Sequence, residues 1–324
     1  MAKIASKGRV LVTGATGFIG SSVVHELVAA GWSVRACGRD RSRQPGNCEF
    51  VAADLAADTD FDALVRDIDV VLHLAARVHV MKETSSDPLA EFRRANVFPT
   101  ARLAAAAVKN GLRHFVFASS IKVHGESSTA KPFIESDPLN PKDAYGVSKM
   151  EAERAVLIET KNSKTNTTIF RLPLVYGPRV KGNFSRLVNL VRSGLPLPFA
   201  GIANLRSMLY VGNFSSAVLT RLAHPMQGNK VFLLADGHDV STEQLVRILG
   251  KSMDCRVRLF PMPNGVLRFA ASLTGRRNEF ERLTESLQVD ISCIRQTLQW
   301  TPPYSVGEGV AKSFIGYSGS GVSV

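Results

Sequence analysis

The chain has 324 residues, 45% of them hydrophobic, enough for one large domain or two of ordinary size. No apolar run reaches the roughly 18 residues of a membrane helix, so no integral membrane segment is expected. Its 40 Lys and Arg outnumber 28 Asp and Glu for a net charge of +12, yet they are dispersed, with no basic block and little aromatic interleaving, which argues against nucleic acid and suits small phosphorylated ligands.

The N-terminus is basic but runs straight into a strand pattern, without the apolar core of a signal peptide. "RVLVTGA" (9–15) predicts a first strand and "GSSVVHELVAAG" (20–31) a helix. "SVRACGR" (33–39), "EFVAAD" (49–54) and "DVVLHLAA" (69–76) read as the next three strands. The helix "FPTARLAAAAVKNG" (98–111) leads to a fifth strand, "HFVFASS" (114–120). Near-continuous apolar strands between helices predict a parallel sheet covered on both faces, the doubly wound α/β class of Rossmann type. After residue 172 prolines and glycines thicken, and a smaller α/β substrate-binding region is expected over 173–316. A stretch near 208–236, ending in "KVFLLAD" (230–236), is expected to return to the first sheet, and 317–324 reads as a frayed tail. Cys37, Cys48, Cys255 and Cys293 form no C-x-x-C pair and read as reduced, which fits the cytoplasm. The histidines make no metal-ligand spacing with Cys or Glu, so no metal is expected; His73 reads as a satisfied strand-end residue.

Between the first strand and its helix lies "TGATGFIG", with Gly14, Gly17 and Gly20 spaced for a diphosphate cradle. Gly14 permits the tight turn, Gly17 admits the diphosphate, and Gly20 lets helix and strand pack closely. Phe18 and Ile19 then open the helix whose positive N-terminus faces the anion. Residues 1–172 are therefore expected to be a dinucleotide-binding domain. An NAD site ordinarily has an acidic residue at the end of the second strand. That position falls near Gly38, and Arg39 follows, with Arg43 and Arg41 close behind. A guanidinium fork suits a 2′-phosphate, so NADP is favoured. The alternative is NAD, with Asp40 on the ribose and the arginines merely solvated. Asp54, followed by Leu55 in "VAADL", suits the adenine edge.

The reacting groups are read from three further residues. "DAYGVSKME" sets Tyr145 and Lys149 four residues apart, on one side of a helix. Ser119 and Ser120 end the fifth strand at the carboxyl edge, where ligands bind in such sheets. Ser120, preferred over Ser119, is expected to hydrogen-bond a substrate oxygen while Tyr145 exchanges the proton on it. Lys149 is expected to hold the ribose hydroxyls and lower the tyrosine pKa, with hydride moving between substrate and nicotinamide.

Together "TGATGFIG", "HLAA", "FASSIKVHGE", "YGVSK", "RLPLVYGPR", "RSMLYVGN" and "LQWTPPYS" resemble the extended short-chain dehydrogenase/reductase family. The closest likeness is to UDP-glucose 4-epimerase-like enzymes, in a bacterial branch linked to surface polysaccharides. That resemblance implies a UDP-sugar substrate. It places Leu74, Ala75 and Ala76 along the cofactor, Asn96 in support, and Pro173 and Leu174 beside the nicotinamide. It assigns Asn183, Arg206 and, more weakly, Arg282 to the nucleotide sugar, with Arg206 on the diphosphate. His79 and Lys122 are candidates to touch the sugar or to stand behind it. It also implies a homodimer built from two helices per subunit, for which 98–111 and 148–159 are candidates.

Lys122 and His124 depart from the threonine and tyrosine that 4-epimerases of this family often carry, and the acidic ribose ligand is missing. These departures and Arg39 favour a UDP-linked 4-keto(-6-deoxy) N-acetylhexosamine reductase over a UDP-hexose or UDP-N-acetylhexosamine 4-epimerase. A dehydratase, which usually places acidic residues beside the serine, is disfavoured. A non-catalytic NADP sensor is the remote alternative, since such proteins typically lose the tyrosine or lysine that this chain keeps.

Overall fold

The structure is a computed structural model that describes residues 7–78, 85–128, 131–224, 226–263, 265–266, 272, 281 and 283–314. The first strand, β1 (Arg9–Thr13), leads through the glycine turn into α1 (Phe18–Ala29). Then follow β2 (Ser33–Gly38), β3 (Glu49–Ala52), α2 (Phe61–Val65), β4 (Val70–His73), α3 (Pro88–Asn96), α4 (Phe98–Lys109) and β5 (His114–Ser120). The chain continues with α5 (Ala144–Glu159), β6 (Asn166–Leu172), β7 (Leu174–Tyr176), α6 (Asn183–Arg192), β8 (Leu197–Ala200) and β9 (Met208–Tyr210). The remaining elements are α7 (Val211–Ala223), β10 (Asn229–Leu233), α8 (Thr242–Ser252), β11 (Leu259–Pro261), α9 (Ser292–Leu298) and α10 (Val306–Ser313).

Seven strands form one parallel sheet in the order β10-β6-β5-β4-β1-β2-β3. Side chains alternate across a strand, so β1 sends Val10 and Val12 to one face and Leu11 to the other. The first face is covered by α1 and α7, through Val23, Leu27, Phe214 and Ala217. The second is covered by α2, α4 and α5, through Leu64, Leu103 and Val156. This two-faced burial is why the strands read as apolar runs. The strand order reverses between β1 and β4, which opens a crevice at their carboxyl ends.

The pair β7–β9 stands apart from the large sheet, as does the pair β8–β11. Tyr176, Phe184, Leu187, Phe199, Val246 and Val310 join α6, α8 and α10 to these strands in a third core. Tyr176 and Asn213 both donate to buried Asp236, at 2.7 Å each, and Asp236 also accepts from the Tyr210 amide, so one carboxylate ties β7, β9 and α7 together. Burial pushes its pKa up to about 6 against those donors. Among the described residues no helix is long and apolar enough to cross a membrane.

Candidate active site

At the crevice, Gly14 takes φ 68°, and a Cβ there would stand 2.7 Å from the Ala75 nitrogen. Only glycine fits both the backbone and the gap. The Gly17 amide donates to the Gly14 carbonyl at 2.9 Å, closing the turn, and Gly17 is the N-cap of α1 without a side chain to block it. A Cβ on Gly20 would lie 2.2 Å from the Gly14 carbonyl oxygen, so helix and turn are in direct contact. The first turn of α1 carries no acidic residue. Its positive end therefore suits an anion. Phe18 and Ile19 pack against the third core.

Leu74 and Ala75 run beside this turn, their amides donating to the Thr13 carbonyl at 3.2 Å and hydroxyl at 3.3 Å. Thr13 in turn meets His73 Nδ1 at 2.6 Å, and His73 Nε2 meets Thr100, whose hydroxyl donates to the Asn96 carbonyl. That donation assigns the imidazole proton to Nε2, leaving Nδ1 to accept from Thr13. Burial lowers the His73 pKa to about 3, the Lys149 charge adding to the effect, so the ring is neutral and structural. Asn96, also buried, grips both the amide and carbonyl of Arg77 and donates to Ser148 Oγ, linking the segment after β4, where Ala76 lies, to α5.

The end of β2 is open. A Cβ on Gly38 would lie 2.8 Å from the Thr16 methyl, so Thr16 lies against the strand end where an acidic side chain is usual. Arg39 and Arg43 are exposed. Asp40 is exposed and caps the following turn, its Oδ1 accepting from the Ser42 amide at 3.0 Å and hydroxyl at 2.7 Å. Arg41 is occupied: it donates to the Phe50 carbonyl and lies over the Phe50 ring. Asp54 is exposed at the next strand end and accepts from the Ala56 amide at 3.1 Å, while Leu55 packs partly on the second core.

Asp143 caps α5 by accepting from the Gly146 amide at 2.7 Å, which starts the helix one residue before Tyr145. This places Tyr145 and Lys149 on successive turns facing the end of β5. The Ser120 side chain lies near enough to the Tyr145 phenol to act on its pKa, and Phe92 meets the tyrosine ring edge-on at 6.0 Å. Lys149 is buried, donates to the Ala118 carbonyl at 2.6 Å and lies 4.0 Å from the centre of the Phe117 ring. Burial lowers its pKa to about 7, opposed by Glu153 one turn further on. The expected lowering of the tyrosine pKa by Lys149 is not what the structure shows. Burial raises it, Ser120 lowers it in part, and Asp143 raises it further. The amine is held at the Ala118 carbonyl.

Ser119, on the same strand, is buried and its hydroxyl has no hydrogen-bond partner among the described residues. Pro173 is buried directly after β6, whose Leu172 stands opposite Ser120, and Leu174 beside it is exposed. Asn183 is exposed at the first position of α6. Arg206 is half-buried, donating to the Glu285 carbonyl at 3.0 Å. Arg282 and His79 lie outside the described residues.

The model of the "NAD dependent epimerase/dehydratase family" matches residues 10–235. The chain belongs to this family. A UDP-glucose 4-epimerase of Vibrio cholerae is 39% identical over 312 residues, 94% of this chain and 95% of that protein. An N-acetyl-alpha-D-glucosaminyl-diphospho-ditrans,octacis-undecaprenol 4-epimerase of Escherichia coli O157:H7 is 25% identical, over 94% of this chain and 93% of that one. Among solved structures, MoeE5 in complex with UDP-glucose and NAD is 27% identical, with a TM-score of 0.77 over 95% of this chain and 98% of its own. The protein is thus an enzyme of the epimerase/dehydratase type that uses a nicotinamide cofactor.

Within this family two residues of the segment after β5 stand out. Lys122 pairs with Glu126 at 2.7 Å and with Asp143. His124 is buried, stacks on Phe133 at 5.2 Å and meets Arg171, which pairs with buried Glu153 at 2.7 Å. His124 is therefore a packing residue. Reading the sequence missed the Asp143 cap, the Phe117 ring under Lys149 and the Thr16 contact at Gly38. The first had a signal, an Asp three residues before a glycine in a helix start; the other two are contacts between distant segments.

Proposed function

We propose that the protein is a nicotinamide-dependent oxidoreductase acting at C4 of a UDP-linked hexose or N-acetylhexosamine. One observation carries this reading: the Ser120 side chain lies near the Tyr145 phenol at the carboxyl end of β5, with buried Lys149 donating to the Ala118 carbonyl of the same strand. A bound nicotinamide dinucleotide supplies the hydride acceptor or donor. Tyr145 exchanges a proton with the C4 oxygen, Ser120 hydrogen-bonds that oxygen, and Lys149 binds the ribose hydroxyls. Gly14, Gly17, Phe18, Ile19 and Gly20 hold the diphosphate, Leu74, Ala75, Ala76 and Pro173 line the nicotinamide side, and Asn96 fixes the wall. Arg206 and Asn183 take the nucleotide sugar, Arg206 on its diphosphate, as a guanidinium fork suits such oxygens.

Within that chemistry we favour a 4-ketosugar reductase using NADPH. The end of β2 supports it: Gly38 offers no carboxylate, Asp40 is spent on its own turn, and Arg39 and Arg43 are exposed where a 2′-phosphate would need them. A reductase exchanges its cofactor at every turnover, which suits NADPH. The second reading is a UDP-sugar 4-epimerase that retains NAD, supported by the Vibrio cholerae relative and by His124 being a packing residue, which removes that departure from the site. We also place a homodimer interface on the outer faces of α4 and α5, where Phe98 and Ile158 are 61% and 70% exposed.

The experiment incubates the purified protein with UDP-glucose, UDP-GlcNAc and the 4-keto-6-deoxy derivative of UDP-GlcNAc, with and without added NADPH. Oxidation of NADPH by the keto sugar alone supports the reductase. Interconversion of C4 epimers without added cofactor replaces it with the epimerase. Full activity of Tyr145→Phe in either assay overturns the C4 chemistry itself.

A further inference from the structure

Lys122 touches Ser120 directly and the helix turn carrying Tyr145 through Asp143. Its backbone amide donates to Ser120 Oγ at 3.3 Å. Its side chain, 18% exposed, pairs with Asp143, the residue that caps the helix turn carrying Tyr145. Asp143 uses its two oxygens separately: Oδ1 accepts from Gly146 and Oδ2 from Lys122. The turns are also in backbone contact, since a Cβ on Gly146 would lie 2.8 Å from the Lys122 carbonyl oxygen. The segment after β5 and the start of α5 are thereby held as one unit.

We propose that Lys122 is a positioning residue: its ammonium neutralises Asp143 beside the phenol, holding Tyr145 against Ser120 and setting the pH range over which Tyr145 exchanges its proton. The inference rests on the role given to Tyr145 above. Among the described residues, the groups around the phenol are these. Asp143 and Lys149 come from its own helix, and Ser120 from β5. Lys122 with its second partner Glu126 comes from the turn after β5. From α3 comes the uncharged Phe92, with the Arg77 guanidinium 5.5 Å from that ring, and the Arg93–Glu151 pair at 2.6 Å spans α3 and α5 as a self-neutralised unit. Asp143 is the charge that raises the phenol's pKa. Lys149 is bonded to the Ala118 carbonyl. Lys122 places a cation on Asp143 and pairs with Glu126 as well.

The test records kcat/KM against pH for the full-length protein saturated with cofactor, in wild type, Lys122→Met, Asp143→Asn and the double variant. Asparagine still caps a helix, so Asp143→Asn removes the charge and keeps the turn. Lys122→Met is expected to move the limb governed by Tyr145 upward by roughly half a pH unit, the scale of one charge near a partly screened site. Asp143→Asn is expected to move it downward, and Lys122→Met in the Asp143→Asn background to move it back toward the wild-type position, since the two opposite charges act additively on the phenol. Lys122→Arg, which keeps the charge, is expected to restore the wild-type profile. A Lys122→Met profile superposable on wild type, or a shift downward instead of upward, overturns the inference. If Tyr145→Phe keeps full activity, the underlying reading falls and takes this one with it; an inactive Tyr145→Phe beside an unmoved Lys122→Met profile overturns this inference alone.

Discussion

Gly20→Ala is the sharpest probe of the diphosphate cradle. The new Cβ would stand 2.2 Å from the Gly14 carbonyl oxygen and 2.8 Å from the Ala15 Cα. Both are backbone atoms, so no side chain can rotate aside; α1 and the turn must separate by about 1 Å to reach ordinary contact. The Gly14 carbonyl that must retreat is the one accepting the Gly17 amide at 2.9 Å. Strain of this kind costs about 1–3 kcal/mol. If it is relieved by opening the cradle, dinucleotide affinity falls by about 5- to 150-fold, at roughly 1.4 kcal/mol per decade. The melting temperature falls too, because Val23, Val24 and Leu27 of α1 sit in the first core. Titrating NADP and NAD by calorimetry, beside a thermal melt by circular dichroism, measures both. Wild-type affinity with an unchanged melt would show that the turn does not bear on the cofactor and would refute the reasoning.

Three further outcomes are expected. Arg39→Ala should weaken NADPH binding by about 10- to 150-fold, the worth of a charge-assisted hydrogen bond of about 1.5–3 kcal/mol, while leaving NADH unchanged; equal losses for both cofactors would make Arg39 a plain surface charge. Lys149 holds its proton only to about 7 in the folded, cofactor-free protein, against an ordinary 10.5. The unfolded chain then binds more protons between those values, so stability to urea should rise with pH across that window, and Lys149→Met should flatten the rise. Ile158→Asp, on the exposed face of α5, should convert a dimer to a monomer in size-exclusion chromatography with light scattering; an unchanged mass would place the interface elsewhere or remove it.

Local pattern accounts for what was legible beforehand. The seven-strand sheet announces itself because strands buried on both faces are apolar throughout, as "RVLVT" and "HFVFASS" are. The glycine cradle is legible because Gly14 and Gly20 leave no room for a Cβ and Gly17 keeps the turn clear between them, and the Tyr145–Lys149 pair because a helix repeats every four residues or so. The pairing of β9 with β7 rather than with the large sheet was not legible, since three residues of apolar strand fit either. Nor was the state of the tyrosine: a four-residue spacing shows that an amine is near, not where it points.

From the order of its residues alone, this protein is a parallel α/β fold with a glycine turn, and a serine, a phenol and an amine are assigned to one edge; each follows from short-range periodicity and from the steric demands of glycine. Folding alone decided the rest. Lys149 went to the Ala118 carbonyl, Asp40 to its own turn, His124 into a packed cluster and Lys122 onto the Asp143 cap. These are competitions between partners separated by up to tens of residues along the chain, and a charge or hydrogen bond goes to whichever partner burial and geometry bring within about 3 Å.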